Sequence, residues 1–231
     1  METIQDLNML GIIGGTGLFH AEIPPLDKTT IATPYGPAEV WLGDIAIVMR
    51  HQFSTPPHRI NHPALLSAMA IAGVDRIIAF GSVGSLKKEY PVGSIVLPDD
   101  YYSPSQIPTV HNNAIGHVAP AINRELIAKI HDAVPETIVG GTYVQTRGPR
   151  FETVAEIKNL VNAGDIVGMT VAGEAAIANE LGIPFAAVCM VDNDCNGLCK
   201  DEISYESILK TSKDNVEKTN RMIRTVIDIL G

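Results

Sequence analysis

Two short segments of the sequence could bind a small anion. Residues 11–18, GIIGGTGL, run from apolar residues into a glycine-rich turn that carries the hydroxyl of Thr16. Glycines let backbone N–H groups approach an anion closely, and the hydroxyl adds a side-chain donor. Arg50 and His51 follow the apolar residues 45–49. A guanidinium offers two parallel N–H donors to phosphate, and an imidazole can donate from one ring nitrogen. Each segment alone also fits a simpler interpretation, a structural turn for the first and a surface pair for the second.

Four further segments place small, aromatic or acidic residues directly after apolar runs. They are FGSVGSL at 80–86, with Ser82; GTYVQTRGPRFET at 141–153, with Phe151 and Glu152; GMTVAGE at 168–174, with Met169 and Thr170; and VDNDC at 191–195, with Asp192 and Asp194. Phe151 could stack on a flat base, and the carboxylate of Glu152 could accept a ring N–H. Glu152 could instead stabilise the first turn of a helix. Two carboxylates after a buried strand are costly unless they are paired or functional, which makes Asp192 and Asp194 candidates.

The elements that must position these residues alternate between short apolar runs and amphipathic stretches. Runs rich in Val, Ile and Ala predict strands at 10–13, 45–49, 76–80, 94–97, 138–144, 166–169 and 185–191. Several of them lack polar alternation, as expected for strands that are covered on both faces. Helices are predicted at 62–72, 119–133, 153–163, 173–181 and 205–230. This alternation predicts an α/β fold, with functional residues in loops at the ends of strands.

Composition and charge restrict the possible partners. The chain has 231 residues, 45% of them hydrophobic and 19% charged, and we predict one domain over residues 1–231. A formal net charge of −9 argues against nucleic acid as the main partner, but not against a small anion. The apolar run at 183–191 is too short to span a bilayer, so no membrane association is predicted. Three cysteines and the absence of a signal peptide predict a cytoplasmic location. Cys195 and Cys199 lack a second ligand pair, so no metal site is predicted.

Together and in this order, the segments GIIGGTGL, RH, GSVGSL, GPRFET, GMT and DND resemble the trimeric purine nucleoside phosphorylase superfamily. The closer similarity is to its methylthioadenosine and methylthioinosine phosphorylase branch, and it extends from residue 11 to the C-terminal helix. The resemblance implies a mixed, partly barrel-like β-sheet flanked by helices. It also implies a homotrimer, or a dimer of trimers, with active sites near the subunit interfaces. Inorganic phosphate would be a co-substrate, and no metal or organic cofactor would be needed.

The resemblance also implies roles for individual residues. Phosphate would be held by Thr16, Arg50, His51, Ser82 and Thr170. Met169 would line the ribose, Phe151 would flank the base, and Glu152, Asp192 and Asp194 would lie at the base edge. Tyr205 and Ile208, near the start of the last helix, would line the 5′ end of the sugar. In the reaction, phosphate would attack the anomeric carbon of a ribose with oxocarbenium character. A protonated Asp194, or Asp192, would donate to ring nitrogen 7 of the departing purine.

The sequence contains conflicting indications of base preference. The ring nitrogen 1 of a 6-oxopurine carries a hydrogen that the Glu152 carboxylate can accept, whereas adenine has a lone pair there. Asp192 could, however, accept the amino hydrogens of adenine. Adenosine-type members typically have Ser at the position of Glu152, whereas 6-oxopurine phosphorylases have Phe-Glu-Thr and an Asn nearby. Glu152 therefore favours 6-oxopurines, and the Asp-Asn-Asp of residues 192–194 leaves 6-aminopurines open.

The residues expected at the 5′ end of the sugar are largely apolar. Ile203, Ile208 and Leu209 would favour a methylthio group over a hydroxyl, whose desolvation would not be compensated, although Tyr205 could bond a hydroxyl. Methylthioinosine is therefore the leading substrate, before methylthioadenosine and then inosine or guanosine. The phosphate contacts depart from the branch in two ways. The loop after His51 is about two residues shorter, by comparison with the branch, and Gly81 stands where many members have Thr.

Two other classes of protein remain open at this point. A nucleosidase would use water in place of phosphate, and Arg50, His51 and Thr16 argue against it. A nucleoside-binding protein without turnover would retain the same polar residues. Measuring base release with and without phosphate would distinguish these classes from a phosphorylase.

Overall fold

The computed structural model of the protein describes residues 9–15, 18, 23–198, 210–211 and 213–231. Three of the predicted site residues, Thr16, Tyr205 and Ile208, lie outside the described residues. Within the described part of the chain, no helix is both long and apolar enough to cross a membrane.

The described residues form eleven strands and five helices. The strands are β1 Met9–Gly14, β2 Asp27–Thr33, β3 Gly36–Leu42, β4 Ala46–Met49, β5 Val74–Ser85, β6 Ile95–Leu97, β7 Asp100–Tyr102, β8 Ile138–Val139, β9 Thr142–Gln145, β10 Ile166–Gly168 and β11 Phe185–Asp194. The helices are α1 His62–Ala72, α2 Arg124–Ala133, α3 Val154–Leu160, α4 Val171–Glu180 and α5 Val216–Leu230.

All eleven strands belong to one mixed sheet that branches at β5. Along one path the strand order is β2-β3-β4-β1-β5-β10-β9-β7, while β11 pairs with β5 and continues the sheet through β6 to β8. Strand β5 is parallel to β1 and β11 and antiparallel to β10. The predicted α/β fold with a mixed sheet flanked by helices is therefore confirmed.

The centre of the sheet is apolar because β1, β5 and β11 are covered on both faces. Ile12, Ile13, Ile77 and Ile78 have no exposed surface, as the continuous apolar runs of these strands predict. Helices α1 and α4 pack against each other and against β5, whereas α2 packs against β11 and α5. This core fixes the positions of the ends of β4, β5 and β10. The candidate site residues lie at those ends or directly after them.

Several elements differ from the sequence prediction for local reasons. The strand predicted at 138–144 is divided into β8 and β9, because Gly140 and Gly141 adopt φ values of 93° and 103°, which interrupt an extended strand. Strand β5 continues to Ser85, since its small residues pair with β10 and β11. The hairpin of β2 and β3 was not predicted; β2 is polar and largely exposed, so it carries little hydrophobic signal. Helix α2 begins at Arg124, capped by Asn123 rather than at residue 119.

Candidate active site

A cavity of about 510 Å³ lies where β4, β5 and β10 end and α4 begins. Seven of the predicted site residues line it: Arg50, His51, Ser82, Phe151, Glu152, Met169 and Thr170. The antiparallel pairing of β10 with the end of β5 turns the residues that follow Gly168 back toward the middle of β5. The topology thus joins segments that are separated by more than one hundred positions in the sequence. Four of the predicted phosphate-binding residues and three of the predicted substrate-binding residues therefore line one cavity.

Arg50 is held at one end of this cavity by a buried ion pair. Its Nε donates to Glu174 Oε1 at 2.6 Å, and its Nη2 donates to Glu174 Oε2 at 2.9 Å. Its Nη1 donates to the Phe80 carbonyl at 2.7 Å. Arg50 is 3% exposed and Glu174 is fully buried. Since a guanidinium has five N–H donors, the described residues leave two of them unbonded, one on Nη1 and one on Nη2.

Gly15, the first residue after β1, packs directly on this guanidinium. A Cβ atom on Gly15 would lie 2.1 Å from Arg50 Nη1, a distance that no side chain could occupy. The Arg50 backbone N–H also donates to the Gly14 carbonyl at 2.9 Å. Glycine at position 15 is therefore required by the close approach of Arg50.

Thr170 stands at the start of α4, but its side chain does not cap the helix. The backbone N–H groups of Thr170 and Val171 instead donate to the phenol oxygen of Tyr143, at 3.2 and 3.3 Å. The N–H of Gly173 donates to Gln145 Oε1 at 2.9 Å. Tyr143 and Gln145 of β9 thus accept hydrogen bonds from backbone N–H groups at the start of α4. Since the hydroxyl of Thr170 does not cap the helix, it can form a hydrogen bond with a ligand in the cavity.

His51 has a defined tautomer in this site. Its Nδ1 lies 2.8 Å from the Thr55 carbonyl oxygen, which can only accept a hydrogen bond, so Nδ1 carries the hydrogen. Burial lowers the pKa of His51, and the positive charge of Arg50 acts in the same direction. The Thr55 bond and the charge of Glu174 oppose this shift without reversing it. At neutral pH the ring is therefore mainly neutral.

Phe151 and Glu152 also line this cavity. The Thr146 hydroxyl donates to Glu152 Oε1 at 2.5 Å, and Asn196 Nδ2 donates to the Glu152 carbonyl at 2.8 Å. Glu152 is 9% exposed. One carboxylate oxygen is thus occupied by Thr146, and Oε2 remains available to a ligand. The alternative interpretation, that Glu152 stabilises a first helical turn, does not describe its contacts, since Glu156 forms the capping box of α3.

Asp192 and Asp194 lie apart from the lining of this cavity, on β11. Asp192 accepts a hydrogen bond from the Ser82 hydroxyl and lines a smaller pocket of about 30 Å³. Burial raises the pKa of Asp192 to about 6, against hydrogen bonds from Ser82 and Asn215. Asp194 pairs in register with Ser85. Ser82 lines both pockets, so its hydroxyl connects Asp192 to the main cavity.

A second cavity of about 540 Å³ adjoins the first, and Pro57 and Met169 line both. His62 is buried in its wall, and burial lowers the pKa of its ring to about 4. Thr146, the partner of Glu152, also lines this second cavity. Met169 therefore lies at the boundary between the two spaces.

Three residues that the sequence analysis did not select contribute to the site: Glu174, Thr146 and Asn193. Glu174 could have been noticed as the one charged residue among the apolar positions 171–178 of a helix, where a charge is costly without a partner. No sequence signal distinguishes Thr146 from an ordinary threonine. Asn193, rather than either neighbouring aspartate, lines the main cavity.

Replacing Glu174 by glutamine is expected to lower the free energy of unfolding by about 3 kcal/mol or more, because it leaves the buried guanidinium of Arg50 without its counter-charge. Urea unfolding monitored by circular dichroism measures the effect. Glu125→Gln, on the exposed side of α2, is the matched control. A loss below about 1 kcal/mol would show that the ion pair adds little to the fold.

Comparison with known proteins adds to this geometry. The sequence profile of the phosphorylase superfamily matches residues 9–228. A protein of Archaeoglobus fulgidus named "Probable 6-oxopurine nucleoside phosphorylase" is 38% identical over 232 residues, which cover 95% of this chain and 96% of that protein. A protein of Methanocaldococcus jannaschii named "Probable S-methyl-5'-thioinosine phosphorylase" is 34% identical over 240 residues, covering 96% and 92%.

A solved structure supports the fold in the same way. Methylthioadenosine phosphorylase from Schistosoma mansoni, in complex with adenine, aligns with a TM-score of 0.89 at 20% identity. The alignment covers 96% of this chain and 92% of that one. At this identity the similarity establishes a common fold, while the details of the site rest on the contacts described above.

Proposed function

The chain belongs to the phosphorylase superfamily, and from this premise we propose that it cleaves purine nucleosides with inorganic phosphate. The products are the free base and ribose 1-phosphate, or 5-methylthioribose 1-phosphate. The enzyme is a pentosyltransferase of the purine nucleoside phosphorylase type. The observation that carries the proposal is one cavity that is lined both by the anion-binding candidates Arg50, His51 and Thr170 and by the base-binding candidates Phe151 and Glu152.

The phosphate end contains donors that are left over after the protein's own contacts are made. Arg50 retains one N–H on Nη1 and one on Nη2, and the Thr170 hydroxyl is not used as a cap. The N-terminus of α4 adds a favourable dipole for an anion. Ser82 contributes less than the sequence suggested, because its hydroxyl hydrogen is directed at Asp192. These contacts support a phosphate site centred on Arg50.

The base end favours a 6-oxopurine. Glu152 Oε2 can accept the hydrogen on ring nitrogen 1, while the carboxamide of Asn193 can donate to the 6-oxo group. One N–H of Asn193 already donates to the Asp194 carbonyl at 3.0 Å, and the other remains available. Adenine would place its lone pair against the carboxylate and its amino group against the amide donor. This pairing, with the names of the two relatives described above, supports hypoxanthine-type bases.

In the proposed reaction a phosphate oxygen bonds to the anomeric carbon as the bond to the purine breaks with its electron pair on the base. The developing charge on the sugar is stabilised by the phosphate dianion, and the purine takes up one proton. Asp192 is a candidate source of that proton, since its raised pKa of about 6 leaves a fraction of the carboxyl groups protonated near neutrality. Asp194 remains the alternative. Inorganic phosphate is the only co-substrate that the mechanism requires.

The preference for a methylthio group at the 5′ position rests on the sequence. Tyr205 and Ile208 lie outside the described residues, and Met169 is the described residue assigned to the sugar. A homotrimer and a cytoplasmic location are likewise proposals that rest on the resemblance and on composition. S-methyl-5′-thioinosine is accordingly the proposed leading substrate.

Base release from methylthioinosine, methylthioadenosine, inosine and adenosine, each with and without phosphate, tests the proposal. Phosphate-dependent release of hypoxanthine, fastest from the methylthio compound, is the expected result. Faster release of adenine than of hypoxanthine would instead support the alternative function, that of a methylthioadenosine phosphorylase. Release without phosphate would indicate a nucleosidase, and binding without release would indicate a nucleoside-binding protein.

A further inference from the structure

His51 lines the main cavity, and what its ring can offer a ligand there depends on the nitrogen that the protein does not bond, Nε2. Because Nδ1–H donates to the Thr55 carbonyl at 2.8 Å, the neutral ring has its lone pair on Nε2. His51 lines the cavity next to Arg50 and Thr170. The imidazole is therefore a hydrogen-bond acceptor for a ligand in the cavity, and only protonation of the ring would make it a donor.

The charged and titratable groups packed around His51 keep the ring in this neutral form. Arg50 precedes it in the chain, Glu174 reaches it from α4, and His62 lies near it at the start of α1. Arg50 and Glu174 form a bidentate pair, so their opposite charges largely offset each other. His62, whose pKa is lowered to about 4, stays neutral above that pH. Burial is the main effect that remains, and it favours the neutral imidazole.

An anion bound at this site would meet hydrogen-bond donors from Arg50 and Thr170 and one hydrogen-bond acceptor, Nε2 of His51. The two remaining N–H groups of Arg50 and the hydroxyl of Thr170 suit oxygen atoms that carry negative charge. The lone pair of His51 Nε2 suits a hydroxyl hydrogen. Hydrogen phosphate carries one such hydroxyl at neutral pH. Sulfate has the same shape and charge but no hydrogen, so one of its oxygens would face the lone pair of Nε2.

We propose that His51 is a specificity-determining residue that selects hydrogen phosphate over sulfate by accepting a hydrogen bond from the anion's hydroxyl. The proposal rests on the proposed function and deepens it, since it assigns the acceptor of the phosphate site. In a sulfate complex, a sulfate oxygen and Nε2 of His51 would be two hydrogen-bond acceptors in contact, with no hydrogen between them. The unpaired, desolvated acceptor weakens the binding of sulfate relative to phosphate by about ten- to hundredfold.

Titration calorimetry of the unmodified protein with phosphate and with sulfate tests this selection. Near pH 8, sulfate is expected to bind about ten- to hundredfold more weakly than phosphate. Sulfate remains a dianion as the pH falls through the range in which His51 gains a proton and its Nε2 becomes a donor. The sulfate dissociation constant should therefore fall with decreasing pH, by about tenfold. Equal affinity for the two anions near pH 8 would overturn the proposal.

His51→Gln separates this effect from the general charge of the protein. A glutamine amide can turn its N–H toward either anion, so the variant is expected to bind sulfate within about threefold of phosphate and to lose most of the pH dependence for sulfate. His117→Gln, the same change at an exposed position, should behave like the unmodified protein. A His51→Gln variant that keeps both the selectivity and the pH dependence would also overturn the proposal. Calorimetry needs no turnover, so failure of phosphate-dependent base release would be recognised separately as failure of the proposed function.

Discussion

Replacing Arg50 by lysine is expected to lower kcat/KM for phosphate by about 10²–10³-fold, which corresponds to about 3–4 kcal/mol of transition-state stabilisation. An ammonium has three N–H donors where a guanidinium has five. In the protein, three donors of Arg50 are committed to Glu174 and to the Phe80 carbonyl. A lysine that satisfied these partners would have none left for phosphate, and its point charge could not reproduce the two-pronged contact.

The measurement is base release at varied phosphate concentration, with circular dichroism to establish that the variant is folded. Arg124→Lys is the matched control, because the Arg124 side chain is 84% exposed and its contact with Asp99 is a long one, at 3.8 Å. A folded Arg50→Lys variant whose kcat/KM for phosphate stays within about threefold of the original would remove Arg50 from the phosphate site.

Replacing Glu152 by serine is expected to change the ratio of kcat/KM for methylthioinosine over methylthioadenosine by about 10²–10³-fold in favour of adenine. The serine hydroxyl is too short to replace Oε2 as the acceptor for the hydrogen on ring nitrogen 1 of a 6-oxopurine. The substitution also removes the negative charge of the Glu152 carboxylate, which repels the lone pair on ring nitrogen 1 of adenine. The backbone contact from Asn196 goes to the Glu152 carbonyl and survives the change, so the segment should keep its course.

The two substrates are compared in the same preparation, so that any loss of active protein cancels in the ratio. Glu125→Ser, on the exposed side of α2, serves as the control. An unchanged ratio would mean that Glu152 does not determine the base preference. The ratio therefore tests the first of the two interpretations that the sequence left open.

Asn193 shows how the local course of one strand affects this choice. The resemblance placed both Asp192 and Asp194 at the base edge. The pairing of β11 with β5 shifts register between Val191 and Asn193. Such a bulge re-aims the side chains that follow it. Asn193 consequently lines the main cavity, while Asp192 lines the smaller pocket behind Ser82.

The sequence by itself determined the fold class, the order of the site segments and most of the elements. Continuous apolar runs identified β1, β5 and β11 because burial on both faces leaves no polar positions. Helix α1 was predicted with its observed bounds, since Asn61 caps its start and Gly73 ends it with a φ of 92°. The segments that follow apolar runs contained seven residues that line one cavity, and the resemblance to a known superfamily assigned them to one site.

Only the tertiary structure decided which atoms of these residues remain free for a ligand. The Arg50–Glu174 pair joins positions 124 residues apart, and no local pattern specifies such a contact. The Thr146 hydroxyl on Glu152 and the Thr55 carbonyl on His51 are closer in sequence, six and four residues apart, but they depend on the conformation of irregular segments that apolar periodicity does not report. Sequence patterns report burial and periodicity, which are properties of single segments. Hydrogen-bond partners depend on how segments are packed in space, and they determine which donors and acceptors the site can offer.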